Sequence, residues 1–120
     1  VITAAKIHDV LRGTDSVTGT GVICDRLWPR GVSKADTEGF LWLKGIAPSP
    51  GLRKWFGHDP DRFEEFAARY RAELDEAFAA GNEDVKKLLQ LGDATLLYAA
   101  KDRAINHAEI LRDWANEKAR

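Results

Sequence analysis

A chain of 120 residues, 44% hydrophobic and 31% charged, has the size and balance of one globular domain built around a single core. Its formal net charge of −1 excludes a global field that would draw it onto nucleic acid or an anionic membrane, leaving only local basic patches for such roles. No apolar run approaches the ~18 residues of a membrane span, and one cysteine excludes an intrachain disulfide and a cysteine-based zinc site.

Val1-Ile2-Thr3 opens directly into a strand-like segment, without the charged region and apolar stretch of a signal peptide, so the cytoplasm is the expected compartment. Thr3 to Leu11 reads as a short strand with Ala5, Ile7 and Val10 or Leu11 turned inward. Gly13 to Gly21 is a loop rich in turn residues. Val22 to Leu27 reads as a second strand, whose continuous apolar start suits burial on both faces. Ser33 to Asp36 can cap a short helical turn, with Ser33 at the N-cap and Asp36 at N3. Phe40 to Ile46 is a short apolar run, read as a third strand. Pro48-Ser49-Pro50-Gly51 breaks the chain.

Asp59 and Pro60 are the N-cap and first residue expected of a helix. Phe63, Phe66, Ala67, Tyr70, Leu74, Ala77 and Phe78 then repeat at helical spacing, with Glu65 and Arg69 paired on the opposite side and Gly81 ending the run. Asn82 caps a second helix through Leu91, stopped by Gly92. Thr95 to Ala100 is a further strand. Asn106, with Glu109 three residues on, starts the last helix, in which His107, Ile110, Leu111 and Trp114 share a face. Strands alternating with helices predict a single small α/β domain, residues 1–120, with a mainly parallel sheet flanked by helices.

In such sheets ligands bind where strands give way to loops. Asp25-Arg26-Leu27-Trp28-Pro29-Arg30-Gly31 occupies one such place. Lys101-Asp102-Arg103, just before the N-terminus of the last helix, occupies a second. Free backbone N–H groups at a helix start attract anions, and arginine pairs bidentately with phosphate or carboxylate. Arg26, Arg30, Lys101 and Arg103 are therefore the expected anion-binding residues. Solvated loop charges and an internal Asp25–Arg26 ion pair are the structural alternatives. His107 is the acid–base candidate, its ordinary pKa suiting proton transfer; a core histidine with a satisfied hydrogen bond is the alternative. Asp25, Trp28, Tyr98 and Asn106 are supporting candidates, with core filling the simpler role for Tyr98.

Arg53-Lys54-Trp55-Phe56 can form a stacking and anion-binding edge or staple the long helix, the staple being the simpler reading. His8, His58 and His107 bind a metal only if the fold gathers them, and no HxH or HxxxH spacing supports that. Cys24 reads as an inert buried thiol. Neither a Walker A loop, GxGxxG nor GxSxG is present, and neither a metal nor a cofactor is expected.

DRLWPRGVSK (Asp25 to Lys34), the WLK…AP segment (Trp42 to Pro48), LRKWFGHDPDRFEEFAARYRAEL (Leu52 to Leu74) and LLYAAKDRAINHAEILRDW (Leu96 to Trp114) together resemble the YeaO-like proteins of the DUF-488 family, a bacterial domain of unknown function. The resemblance covers nearly the whole chain and implies no particular activity. Broader relatives often carry a Cys…Cys-His-Arg pattern in the last strand and loop. Tyr98, Asn106, His107 and Ala108 stand at those places here, which sets thiol chemistry aside and keeps an anion pocket organised around His107.

The sequence thus predicts binding of an anionic small molecule such as a nucleotide, phosphate ester or carboxylate. A nucleic-acid-binding or regulatory module is one alternative, since the helices from Pro60 to Leu91 resemble a helix-turn-helix; the net charge and alternating strands disfavour it. An interaction domain docking through Trp28, Trp42 or Trp55 is the other. Self-association is left open.

Overall fold

The computed structural model, which describes residues 1–119, contains one sheet of four parallel strands in the order β1-β4-β2-β3. The elements run β1 (Ile2–Lys6), α1 (Ile7–Leu11), β2 (Thr20–Ile23), β3 (Leu41–Trp42), α2 (Pro50–Phe56), α3 (Phe63–Ala79), α4 (Glu83–Gln90), β4 (Ala94–Tyr98) and α5 (His107–Lys118), with short 3₁₀ turns at Ala35–Thr37, Lys44–Ile46 and Pro60–Arg62. The predicted parallel α/β class holds.

Both faces of the sheet are covered, as all-parallel sheets require. Val22, Cys24, Leu96 and Tyr98 point into a core shared with α2, α3, α4 and α5, where Phe66, Tyr70, Leu74, Leu88, Leu111 and Trp114 are buried. Ile23 and Leu97, alternating with them, face a smaller cluster with Ala5, Ile7 and Val32. The open edge of β1 is closed by α5: the Asn116 side chain accepts from the Ile2 N–H at 2.8 Å and donates to the Ile2 carbonyl at 2.9 Å. The edge groups of Ile2 are thereby satisfied within the domain.

Four predicted elements are corrected. The strand expected over Thr3 to Leu11 ends at Lys6 and the chain turns into α1. Ile7, Val10 and Leu11 stand at i, i+3 and i+4, a helical spacing that alternation had masked. The second strand leaves the sheet after Ile23; Cys24 N–H still donates to Leu97 at 3.1 Å, and Asp25 then turns away. The third strand shrinks to Leu41–Trp42, followed by a 3₁₀ turn. Pro48 to Gly51 does not merely break the chain, because Ser49 caps α2 by accepting from the Leu52 N–H, with Pro50 at its first position.

The caps read from the sequence are otherwise in place. Asn82 accepts from the N–H groups of Asp84 and Val85, and Asn106 from that of Glu109. Asp59 caps the 3₁₀ turn that leads into α3 rather than α3 itself. Gly19 (φ +72°) shows why the loop before β2 needs glycine: a Cβ there would lie 2.0 Å from the Asp93 carbonyl oxygen.

Candidate active site

Every loop leaving the carboxyl end of a strand contributes to one cleft of about 670 Å³, within the range of small-molecule sites. Lys6, His8 and Arg12 enter after β1; Asp25, Arg26, Leu27, Trp28 and Arg30 after β2. Ala47 and Pro48 enter after β3, and Ala99, Ala100, Lys101, Asn106 and His107 after β4. Arg53, Phe56, His58 and Phe66 close the wall on the helical side. The fold therefore gathers all three histidines of the chain around one space.

The lining holds six permanent cations, Lys6, Arg12, Arg26, Arg30, Arg53 and Lys101, against one carboxylate, Asp25. Arg12 is paired with Asp9 at 2.9 Å. The other cations have no carboxylate within ion-pair distance among the described residues. Arg26 donates to the carbonyls of Pro48, at 3.1 Å, and Ala47, at 3.4 Å, which position its guanidinium without cancelling its charge. A positive concavity in a protein of net charge −1 focuses the field on the cleft.

Asp25 and His107 lie against one another in the wall of the cleft. One carboxylate oxygen of Asp25 accepts from the Ala99 N–H at 3.1 Å, tying the loop after β2 to the end of β4. The other is buried without a hydrogen-bond partner and lies 3.4 Å from His107 Nε2. That nitrogen is also 3.0 Å from the Cys24 carbonyl. A carbonyl only accepts, so Nε2 carries the proton and Nδ1 holds the lone pair. The described residues offer Nδ1 no hydrogen-bond partner, and His107 lines the cleft. Burial, the main cause in each case, holds Asp25 above the ordinary carboxylate range and His107 below the ordinary imidazole range. The position of His107 at the start of α5 opposes an imidazolium further.

Cys24 Sγ, an Asp25 oxygen and a His107 ring nitrogen lie within 4.8 Å of one another, donor types a transition metal accepts. The thiol, however, is fully buried, donates to the Leu97 carbonyl at 3.4 Å and is pushed up by desolvation. It is not the thiolate that metal ligation needs, and the surrounding cations oppose a divalent ion.

Asp25, Arg26, Trp28, Arg30, Lys101, Asn106 and His107 all meet in the cleft. Arg103 and Tyr98 do not line it. Arg103 is turned to Asp9, donating to its two oxygens at 2.7 and 2.8 Å, and Tyr98 is buried at the end of β4 with its hydroxyl near the Arg103 carbonyl. Asp25 and Arg26 form no ion pair: Asp25 lies against His107, and Arg26 donates to the Pro48 and Ala47 carbonyls. Trp28 packs edge-on against Trp42 and donates to Val32; Trp55 lies beneath Arg62 and Arg69. Phe56 stacks on Phe66 at 4.1 Å, packing α2 on α3 rather than forming a staple at the α3 N-cap, while Arg53 of the same run lines the cleft.

Lys6 and Arg12 are cleft residues that sequence reasoning missed, and Arg53, weighed only as part of an anion-binding edge, and His8 and His58, weighed only as metal ligands, join them there. Lys6, His8 and Arg12 stand at or after a strand end placed too late, and Arg53 and His58 belong to or follow an unpredicted helix. Their signal lay in Ile7-Val10-Leu11 spacing and in Ser49-Pro50 as a helix start.

Fold and site together define a small parallel α/β domain with a cation-lined cleft over its strand ends. Residues 6–115 match the family described as Domain of unknown function DUF488, and the chain belongs to that family. It is 37% identical over 116 residues to the uncharacterized protein YeaO of Escherichia coli (strain K12), covering 94% of this chain and 95% of YeaO. It is 36% identical over 114 residues to the uncharacterized protein Rv3073c of Mycobacterium tuberculosis (strain H37Rv), and equally to Mb3100c of Mycobacterium bovis, covering 95% of each chain. No solved structure matches significantly. No helix among the described residues is long and apolar enough to cross a membrane.

Proposed function

We propose that the cleft binds an anionic small molecule and that His107, backed by Asp25, moves a proton on it. The observation that carries this reading is the excess of cations, six against a single carboxylate, in one concave space at the strand ends. Arg30 and Lys101, exposed and unpaired among the described residues, neutralise the ligand's charge; Arg26 and Arg53 extend the positive wall. His107 Nδ1 takes a proton from the bound molecule or from a water against it. Asp25, 3.4 Å from Nε2, stabilises the imidazolium that results. Arg103 enters this reading only as the residue that anchors the loop carrying Lys101.

A thermal-shift screen against nucleotides, phosphate esters, carboxylates and divalent metals tests it, because a ligand that binds only the folded chain raises the melting temperature. Phosphate esters or carboxylates are expected to raise it, and Arg30→Ala and Lys101→Ala to diminish the rise. A flat screen, or a rise untouched by both substitutions, overturns the assignment.

A further inference from the structure

The connection from α2 to α3 contains the one non-glycine residue with a left-handed backbone among those described, His58 at φ +58°. It follows Gly57, the glycine cap of α2, itself at φ +55°. Glycine takes this conformation freely, whereas a residue with a side chain is strained in it. The turn alone would therefore be better served by a second glycine. The imidazole of His58 makes no hydrogen bond or ion pair with the described residues that would account for it; its ring stands 5.9 Å from that of Phe56. What the strained backbone does achieve is to place His58 in the wall of the cleft that Asp25 and His107 also line.

We propose that His58 is a ligand-contacting residue of the cleft and that the molecule it helps to hold is a phosphate monoester. This rests on the anion-binding reading above and deepens it. A phosphoryl group presents three terminal oxygens and up to two charges, a carboxylate two oxygens and one. Arg30, Lys101 and His58 stand on three separate loops and Arg53 on α2, and that spread of donors matches the larger anion. The same cleft has apolar wall from Leu27, Trp28 and Phe56, and Leu27 is 62% exposed. A cleft for free inorganic phosphate has no use for that surface, whereas an ester's organic group does.

The test uses the whole chain with phenyl phosphate as probe and benzoate as the carboxylate of similar shape, binding read by calorimetry and stability by thermal melts. His58→Gly removes the strain and the imidazole together; His58→Asn keeps a residue tolerant of the left-handed region without the imidazole. Without probe, His58→Gly is expected to melt a few degrees above the wild type. Both variants are expected to bind phenyl phosphate about tenfold more weakly, and the wild type to prefer phenyl phosphate to benzoate. A lower melting temperature for His58→Gly would make His58 a structural residue and overturn the inference. So would undiminished phenyl phosphate binding in both variants, and equal affinity for benzoate would remove the ester. If the wild type binds neither probe, the anion-binding reading falls and this inference with it; if only the His58 variants behave as wild type, the anion reading stands.

Discussion

The Asp25 carboxylate and His107 Nε2 stand 3.4 Å apart in the cleft, and burial drives each toward its uncharged form. An imidazole whose folded pKa lies below its unfolded value near 6.5 binds fewer protons in the native state, so it removes stability as the pH falls below about 6.5. Asp25, raised by burial, works in the opposite sense: as pH falls, the native carboxyl takes up a proton before the unfolded one does. His107→Gln is therefore expected to lose less stability than the wild type on acidification from pH 7 to about 5. Asp25→Asn, which also deprives His107 of its carboxylate neighbour, is expected to lose more. Thermal melts across that range check both, and three parallel curves would count against the assignment.

The ion-paired Asp9 makes a prediction of the other sign. Its hydrogen bonds to Arg103, then Arg12, hold its carboxyl well below the usual range. A depressed carboxylate contributes stability above its unfolded pKa, near 4, and loses that contribution as pH falls toward the folded value. Arg103→Ala is expected to lower the melting temperature by a few degrees at neutral pH. The gap to wild type should narrow as the pH drops below about 4. A gap that stays constant would assign the effect to packing.

Tyr70 connects the interior of α3 to the 3₁₀ turn after β3, its buried hydroxyl donating to the Ile46 carbonyl. Tyr70→Phe keeps the ring in the aromatic stack with Phe66 and strands that carbonyl. The expected cost is about 1–3 kcal/mol in urea unfolding. A loss much smaller than this would mean that another donor reaches Ile46.

Cys24 is fully buried and its thiol is pushed up, chiefly by desolvation. Only the thiolate is nucleophilic. Reaction with a thiol-specific disulfide reagent is therefore expected to be slow at neutral pH and to accelerate when urea unfolds the chain. Rapid labelling of the native protein would contradict this burial.

The sequence made the caps and stops of α3, α4 and α5 legible because they are local: Asn82, Asn106 and Gly81 act on neighbours within a turn. The buried faces of β2 and β4 were legible in their unbroken apolar runs. What escaped was short. Five residues, Ile7 to Leu11, satisfy a strand or a helix reading equally, and only tertiary packing decides between them. Running that strand on to Leu11 hid its true end at Lys6, and with it Lys6, His8 and Arg12. Reading Pro48 to Gly51 as a break removed α2, and with it the placement of Arg53 and His58 in the same cleft as Arg30 and Lys101. Arg103 looked equivalent to Lys101 because its partner, Asp9, is 94 residues away along the chain, a separation no local pattern spans.

The sheet order has a consequence for how the protein is made. β4, between β1 and β2, leaves the ribosome after both, so neither of those strands has its central neighbour until translation has passed Ala94. Residues 24 and 107 are 83 positions apart, and they meet only once β4 has entered. The nascent chain thus holds no half-built version of the cleft: one late strand completes the sheet, and His107, at the start of the helix that follows it, then meets Asp25, so any premature stop before β4 removes both.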